Sequence, residues 1–168
     1  MIDPKLKPHQ ILAVAIASEI DAAAFYSRLQ ERVRNVILLQ KLKFLAFEEE
    51  KHRQILERLF AERYAGLDRS LPEGSSKPRL VGLLAENPAV LELFRAALEA
   101  ERASESFYND AARTVEDEAG RRILGYLSRV ERSHQSVILS EIDLLDRFPD
   151  YYNVEDFHIA GDLFHIGP

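Results

Sequence analysis

Two copies of one residue pattern, separated by 82 positions, dominate this sequence. Each copy has a single Glu, followed thirty residues later by a Glu-x-x-His motif. Repetition without a shift of even one residue predicts two related halves of one fold. Four carboxylates and two imidazoles in pseudo-twofold order indicate a site for two metal ions. The six repeated residues are Glu19, Glu49 and His52 in the first copy and Glu101, Glu131 and His134 in the second.

The length and composition predict one domain that spans residues 1–168. A chain of this length that is 46% hydrophobic can bury one substantial core. Its formal net charge of −6, with no basic stripe, gives no reason to expect nucleic acid as a partner. The absence of cysteine excludes disulfides, thiolate metal sites, iron–sulfur centres and a rubredoxin-type iron module.

The N-terminal region argues against a targeting or membrane segment. The apolar run 11–17 is followed at once by Glu19 and Asp21, and no stretch approaches the roughly 18 uninterrupted apolar residues that a membrane helix needs. A signal peptide cleaved near Ala17 would cut the repeat short. We therefore expect a cytoplasmic protein that has no membrane partner.

Helical periodicity appears in four long segments. We expect helices over about 8–34, from Asn35 to about Gly66, from an Asn87-Pro88 start, and over about 117–148. The turn-rich stretch 66–87 is too long for a hairpin and reads as a crossover. These features predict an all-α four-helix bundle over about 8–147, made of two helical hairpins. The tail, 148–168, is expected to dock on the bundle or on a second subunit, through its Phe157-His158-Ile159 and Phe164-His165-Ile166 segments.

The helical phase of the six repeated residues matters more than their spacing. Glu and His three positions apart lie on one face of a helix, separated by about 4.5 Å along its axis. All six fall on stripes that otherwise carry Leu, Ala, Ile and Phe, so the fold would bury four carboxylates. That burial is prohibitive unless cations balance the charge. Two iron ions are the first choice and manganese the second, because carboxylates with one imidazole per metal do not suit structural zinc.

From Glu19 to His134, the pattern resembles the ferritin-like superfamily, and most closely its rubrerythrin branch. The resemblance implies a ferritin-like bundle with a diiron centre that reacts with peroxide or dioxygen. Tyr26 and Tyr108 match tyrosines that hydrogen-bond to ligand carboxylates in relatives, the alternative being plain core aromatics. The resemblance further implies that Glu49 and His52 serve mainly one iron, that Glu131 and His134 serve the other, and that Glu19 and Glu101 complete or bridge them.

Several residues depart from the rubrerythrin pattern. Ser104 stands where rubrerythrins carry an additional Glu, and Glu105, one residue on, is either a boundary charge or a seventh ligand. Glu48 is a candidate acceptor for a ligand histidine, or else a solvated charge, and its repeat counterpart is Val130. Without cysteine, any rubredoxin-like electron donor must be a separate protein. With Met1 as the only methionine, no haem ligand like that of bacterioferritin is present.

The resemblance leaves three functions to compare. The leading hypothesis is a rubrerythrin-like diiron oxidoreductase that reduces hydrogen peroxide or oxidises ferrous iron in oxidative-stress defence. The alternative is a ferritin-type iron-storage ferroxidase subunit, which needs a closed shell of many subunits. A third, an oxygenase acting on an organic substrate, would need a pocket beside the metals. We expect a homo-oligomer, with a dimer as the first expectation.

Overall fold

The computed structural model describes residues 6–72, 80–86, 88–115 and 117–149. Every regular element in these ranges is a helix, which confirms the prediction of an all-α ferritin-like bundle. Short 3-10 turns follow the first and third helices, at Gln30–Arg32 and Leu84–Glu86. The tail segments that include His158 and His165 lie outside the described residues. The helices are α1 (Pro8–Leu29), α2 (Val36–Arg63), α3 (Leu80–Leu83), α4 (Val90–Thr114) and α5 (Glu118–Arg147).

The four long helices form two antiparallel hairpins. The most extensive contacts are between α1 and α2 and between α4 and α5. Two apolar clusters fill the bundle, one containing Phe25, Leu42 and Phe94 and the other containing Leu56 and Leu127. On each long helix the repeated Glu or His residues lie between the segments that enter these two clusters. The polar layer is therefore enclosed by hydrocarbon at both ends.

Local hydrogen bonds explain where two of the helices begin. The Asn35 side chain accepts hydrogen bonds from the backbone N–H groups of Ile37 and Leu38, at 3.0 and 3.1 Å, and starts α2. Asp117 caps α5 in the same way, through Ala119 and Gly120. Both starts agree with the sequence prediction. At the other end of α2, the chain leaves the helix near Gly66, whose φ of +82° suits a residue without a Cβ.

Two helix boundaries differ from the predicted positions. Helix α1 ends at Leu29 and continues as a 3-10 turn to Arg32, short of the predicted residue 34. Helix α4 begins at Val90, with Ala89 at the N-cap position, so Pro88 is not its first helical residue. The Glu92 side chain reaches back to accept a hydrogen bond from the Ala89 backbone N–H at 3.2 Å. That contact gives the helix a later start than the Asn-Pro pair suggested.

The crossover contains a short helix that the sequence analysis did not predict. This helix, α3, begins at Leu80. The backbone N–H groups of Leu80 and Val81 donate hydrogen bonds to the carboxylate of Asp21 on α1, at 2.7 and 3.4 Å. Asp21 thus acts as an N-terminal cap from a different helix. The contact fixes one end of the crossover against the middle of α1.

Helix α1, together with its 3-10 turn, is long and apolar enough to cross a membrane by length and composition alone. It is the one helix of this kind among the described residues, with a mean hydropathy of 1.2. The core helix of a soluble bundle meets the same test. Here Ile11, Leu12 and Ile16 are buried in the apolar cluster, and the buried Glu19 follows them. The expectation of no membrane partner stays a prediction.

Candidate metal centre

The bundle brings the six repeated residues together in one buried layer. Each of the four long helices contributes, and none of the six residues is more than 4% exposed. Helix α1 supplies Glu19, α2 supplies Glu49 and His52, α4 supplies Glu101, and α5 supplies Glu131 and His134.

Their side chains form two overlapping groups in which every ligand atom lies within 4.8 Å of the others. Glu49 and Glu131 belong to both groups. The remaining members of one group are Glu19 and His52, and those of the other are Glu101 and His134. The two shared carboxylates are therefore the residues that would bridge two ions, whereas the sequence analysis had left bridging open for the two single Glu residues.

The distances between donor atoms suit divalent cations. His52 Nδ1 lies 3.2 Å from Glu131 Oε1, and His134 Nδ1 lies 2.9 Å from Glu49 Oε1. The remaining contacts of the two Nδ1 atoms with ligand carboxylates are 3.3 to 3.5 Å. Ligand atoms that share one ion at about 2.1 Å lie about 3 Å apart. The residues present therefore fit a pair of metal ions.

Several buried polar atoms of this layer have no hydrogen-bond partner among the described residues. A folded protein rarely leaves such atoms unsatisfied, because each costs about 1–3 kcal/mol. A bound cation at each group would satisfy the carboxylate oxygens and one ring nitrogen of each histidine. The atoms are Oε1 of Glu49 and Glu131 and both ring nitrogens of His52 and His134.

The electrostatics of the metal-free layer show how strongly it needs positive charge. Burial raises the pKa of Glu19 and Glu101 well above the usual range for a carboxyl. Burial also opposes ionisation of Glu49, but the adjacent imidazoles outweigh it and lower its pKa. The carboxylates around His52 and His134 likewise outweigh burial and raise the pKa of each imidazole to about 12. Without metal, protons supply the positive charge.

Two buried tyrosines tie the single Glu residues in place across the bundle. The hydroxyl of Tyr26 on α1 donates to Glu101 Oε1 on α4. Reciprocally, Tyr108 on α4 donates to Glu19 Oε1 on α1. Burial, followed by the nearby carboxylate charges, raises the pKa of both phenols well above the ordinary value, so both remain donors. Each hairpin therefore positions a ligand candidate of the other.

Comparison with known proteins identifies the family of this chain. A family model described as Rubrerythrin matches residues 10–142. The chain belongs to the rubrerythrin family. Its sequence is also 27% identical to that of a hypothetical protein from Pyrococcus furiosus, whose solved structure has a TM-score of 0.74, with 85% of this chain and 92% of that chain covered. A comparison with curated proteins found no match.

Rubrerythrin is a ferritin-like diiron family, and membership supports a carboxylate-rich site for two metal ions in this chain. The two carboxylate–histidine groups are consistent with this family assignment, since each group offers four donor residues within reach of one ion.

Glu48 lies on the α2–α5 side of this rubrerythrin-family site. One of its oxygens and one nitrogen from each histidine ring lie within 4.8 Å of one another, although no hydrogen bond joins them. The carboxylate instead accepts from Lys51 Nζ at 2.7 Å. Glu48 is therefore close to both imidazoles, whereas the sequence analysis had considered contact with one.

Glu105 lies outside both metal groups. Its carboxylate accepts hydrogen bonds from Arg132 Nε at 2.8 Å and from Gln135 Nε2 at 2.7 Å. Contacts with Gln135 and then Arg132 lower its pKa, so it is a charged residue paired at the rim of the site. The arrangement fits the boundary-charge interpretation better than that of a seventh ligand.

A cavity of about 300 Å³ opens between α1 and α4 and reaches the metal groups. All four repeated Glu residues line it. Its walls include the small residues Ser18 and Ala22 from α1 and their repeat counterparts Ala100 and Ser104 from α4. Ser104, the position at which the resemblance to rubrerythrins implies an additional Glu, thus lines an open space. Sequence analysis did not predict this cavity.

Proposed function

We propose that this chain is a diiron oxidoreductase that reduces hydrogen peroxide, or oxidises ferrous iron with peroxide or dioxygen, as part of oxidant defence. Iron is the proposed metal, with manganese as the alternative. The observation that carries the proposal is the pair of buried groups that share Glu49 and Glu131, because shared carboxylates would hold two metal ions close enough to act on one small molecule.

When bound, a pair of iron ions supplies the electrons for peroxide reduction by cycling between the ferrous and ferric states. The protein's own residues provide the setting for that chemistry. Four carboxylates balance four positive charges in the ferrous state, while the imidazoles of His52 and His134 act as neutral ligands. Tyr26 and Tyr108 hold the single Glu residues in place through donated hydrogen bonds. The cavity between α1 and α4 gives peroxide a route from solvent to the carboxylates.

Iron binding under anaerobic conditions provides the first test. Metal-free protein should take up about two ferrous ions per chain, one for each group. Addition of peroxide should then give a ferric absorption band and consume the peroxide. A Glu49→Gln variant should lose both responses, whereas Glu50→Gln, one residue away and partly exposed, should retain them. Failure of the unmodified protein to bind iron would refute the proposal.

The size of the assembly separates the proposed activity from iron storage. A ferritin-type subunit needs a closed shell of many chains, and size-exclusion chromatography distinguishes such a shell from a small oligomer. We propose a dimer, in the cytoplasm, that receives electrons from a separate donor protein. Sustained peroxide reduction should then require an added reductase and donor, because the chain contains no cysteine for a rubredoxin-type centre.

A further inference from the structure

We propose that the cavity between α1 and α4 is a binding site for a small, uncharged, mainly apolar organic molecule that carries a hydroxyl group. The inference adds an organic ligand to the proposed diiron function, and it rests on that function only for the reactive centre at the cavity floor. The size, lining and polarity of the cavity each support it.

The cavity is much larger than peroxide or dioxygen requires. One water molecule occupies about 30 Å³ in the liquid, and an apolar cavity of about 150 Å³ is enough to bind benzene. At about 300 Å³, the space between α1 and α4 therefore matches a molecule of about twice the size of benzene. An access route for peroxide alone would not need this volume.

Two matched rows of small side chains create the space. Ala15, Ser18 and Ala22 follow one another at helical spacing along α1, and Ala100 and Ser104 do so along α4.

The lining determines the chemical class of the ligand. Val14, Leu71, Leu80 and Phe107 supply apolar surface. None of the described residues that line the cavity is basic, so an anionic ligand would lose its hydration without gaining a cationic partner. A cationic ligand would likewise lose its hydration without gaining an anionic partner, because metal ions, or protons in the metal-free protein, already balance the carboxylates at the floor. An uncharged molecule avoids both costs.

The walls of the cavity offer partners for a ligand hydroxyl group. Ser18 on α1 and Ser104 on α4 both line the cavity, and each carries a hydroxyl that can donate and accept a hydrogen bond. These partners are present in the metal-free and the metal-loaded protein alike. Because both states favour a hydroxyl, we choose a phenol over a plain hydrocarbon as the probe.

Naphthol, a bicyclic phenol, provides a direct test. The chain contains no tryptophan, so naphthol fluorescence can be excited beyond tyrosine absorption and titrated against both metal-free and iron-loaded protein. We expect saturable binding at one site per chain in each form. Naphthalene, which lacks the hydroxyl, and naphthoate, which is anionic, should each bind at least about tenfold more weakly. Equal binding of all three compounds would overturn the assignment of ligand class.

A matched pair of serine variants localises the site. Ser104→Leu fills the cavity and should weaken naphthol binding by about tenfold or more. Ser106→Leu introduces the same side chain at an exposed position of the same helix and should leave binding unchanged. Ala22→Leu, on the opposite wall, should repeat the Ser104→Leu result. Unaltered binding in folded Ser104→Leu and Ala22→Leu proteins would overturn the proposed location.

Backbone amide NMR of the unmodified protein provides a test that does not depend on folding of the variants. Naphthol should shift the resonances of Ala22, Ala100 and Ser104 more than that of the exposed Ser106. Shifts confined to other regions would refute the site. Iron uptake and peroxide consumption are measured separately. Peroxide consumption without naphthol binding would refute this inference alone, and naphthol binding without peroxide consumption would refute the proposed function alone.

Discussion

The metal layer differs on its two sides. On the α1–α4 side, small residues leave a cavity and two tyrosines hold the single Glu residues in a symmetric exchange. On the α2–α5 side, the rings of His52 and His134 stack with centroids 5.4 Å apart, and Phe44 meets His134 edge-on at 6.3 Å. The six candidate metal ligands are therefore approached through the cavity on the α1–α4 side and covered by imidazole and phenyl rings on the α2–α5 side.

Symmetry also differs between the two sides. The tyrosines, and the small residues Ser18, Ala22, Ala100 and Ser104, occur as pairs related by the 82-residue repeat. Glu48, in contrast, has Val130 as its counterpart. The α1–α4 side is therefore built alike by both halves of the chain, whereas the α2–α5 side distinguishes them.

The largest effect, a loss of bound metal, is expected from substitution of a carboxylate that belongs to both metal groups. Glu49→Ala should abolish binding of both metal ions, because Glu49 belongs to both groups. Glu19→Ala, which affects only the group containing His52, should leave about one ion per chain. Metal content after iron loading measures the difference. If Glu19→Ala lost both ions while Glu49→Ala kept one, the assignment of shared and single carboxylates would be reversed.

Metal removal should have the next largest effect, a decrease in the free energy of unfolding. Without cations the layer retains four buried carboxyl groups that only protons and the two histidines can balance, so the loaded protein should be more stable. At a free metal concentration 100 times the dissociation constant, one site contributes about 2.7 kcal/mol to the free energy of unfolding. Thermal unfolding with and without metal measures the effect. Equal melting temperatures would show that the ions do not bind in the core.

Loss of a tyrosine hydroxyl tests the symmetry of the α1–α4 side. Tyr26→Phe and Tyr108→Phe each remove one hydrogen bond to a ligand carboxylate, and each should lower the free energy of unfolding of the metal-loaded protein by about 1.5–3 kcal/mol. The two losses should be similar, since the bonds are related by the repeat. Denaturant unfolding measures them. A large effect from one variant and none from the other would contradict the symmetric exchange.

The smallest effect, a change in metal affinity, should come from substitution of Glu48 on the α2–α5 side. Glu48→Gln removes a charge near both imidazoles and should weaken metal affinity by about tenfold, which is the lower end expected for groups that orient metal ligands. Glu50→Gln is the control, because Glu50 is partly exposed and pairs with Arg53. Competition with a metal chelator measures both affinities. Identical affinities in the two variants would remove Glu48 from the description of the site.

The bundle and the clustering of the six repeated residues could be predicted because both depend on helical phase. Residues such as Leu38, Leu42 and Leu45 mark the buried stripe on α2, and Glu49 and His52 continue it. Once the helical phase is known, the apolar stripes of the four long helices can be buried only against one another, in a single core. The spacing of the repeat then brings matching positions to the same level of the bundle.

Features that depend on contacts between distant residues could not be predicted in the same way. Helix α3 is only four residues long, and its cap is Asp21, 59 positions before Leu80. The late start of α4 depends on Glu92, which competes with the Asn87-Pro88 signal. The cavity depends on the distance between α1 and α4, which no local pattern records. The sequence pattern likewise identified both tyrosines, but it did not show that each one donates a hydrogen bond to the single Glu of the opposite helix.

The sharing of Glu49 and Glu131 has a consequence for how the chain assembles. Each metal group takes three donors from one hairpin and the fourth from the other. A separated hairpin would therefore lack part of every coordination sphere, and its single Glu would lack the tyrosine that anchors it. Metal uptake should thus report the joining of the two halves. A chain divided within the crossover would make that joining, and the affinity of one half for the other, directly measurable.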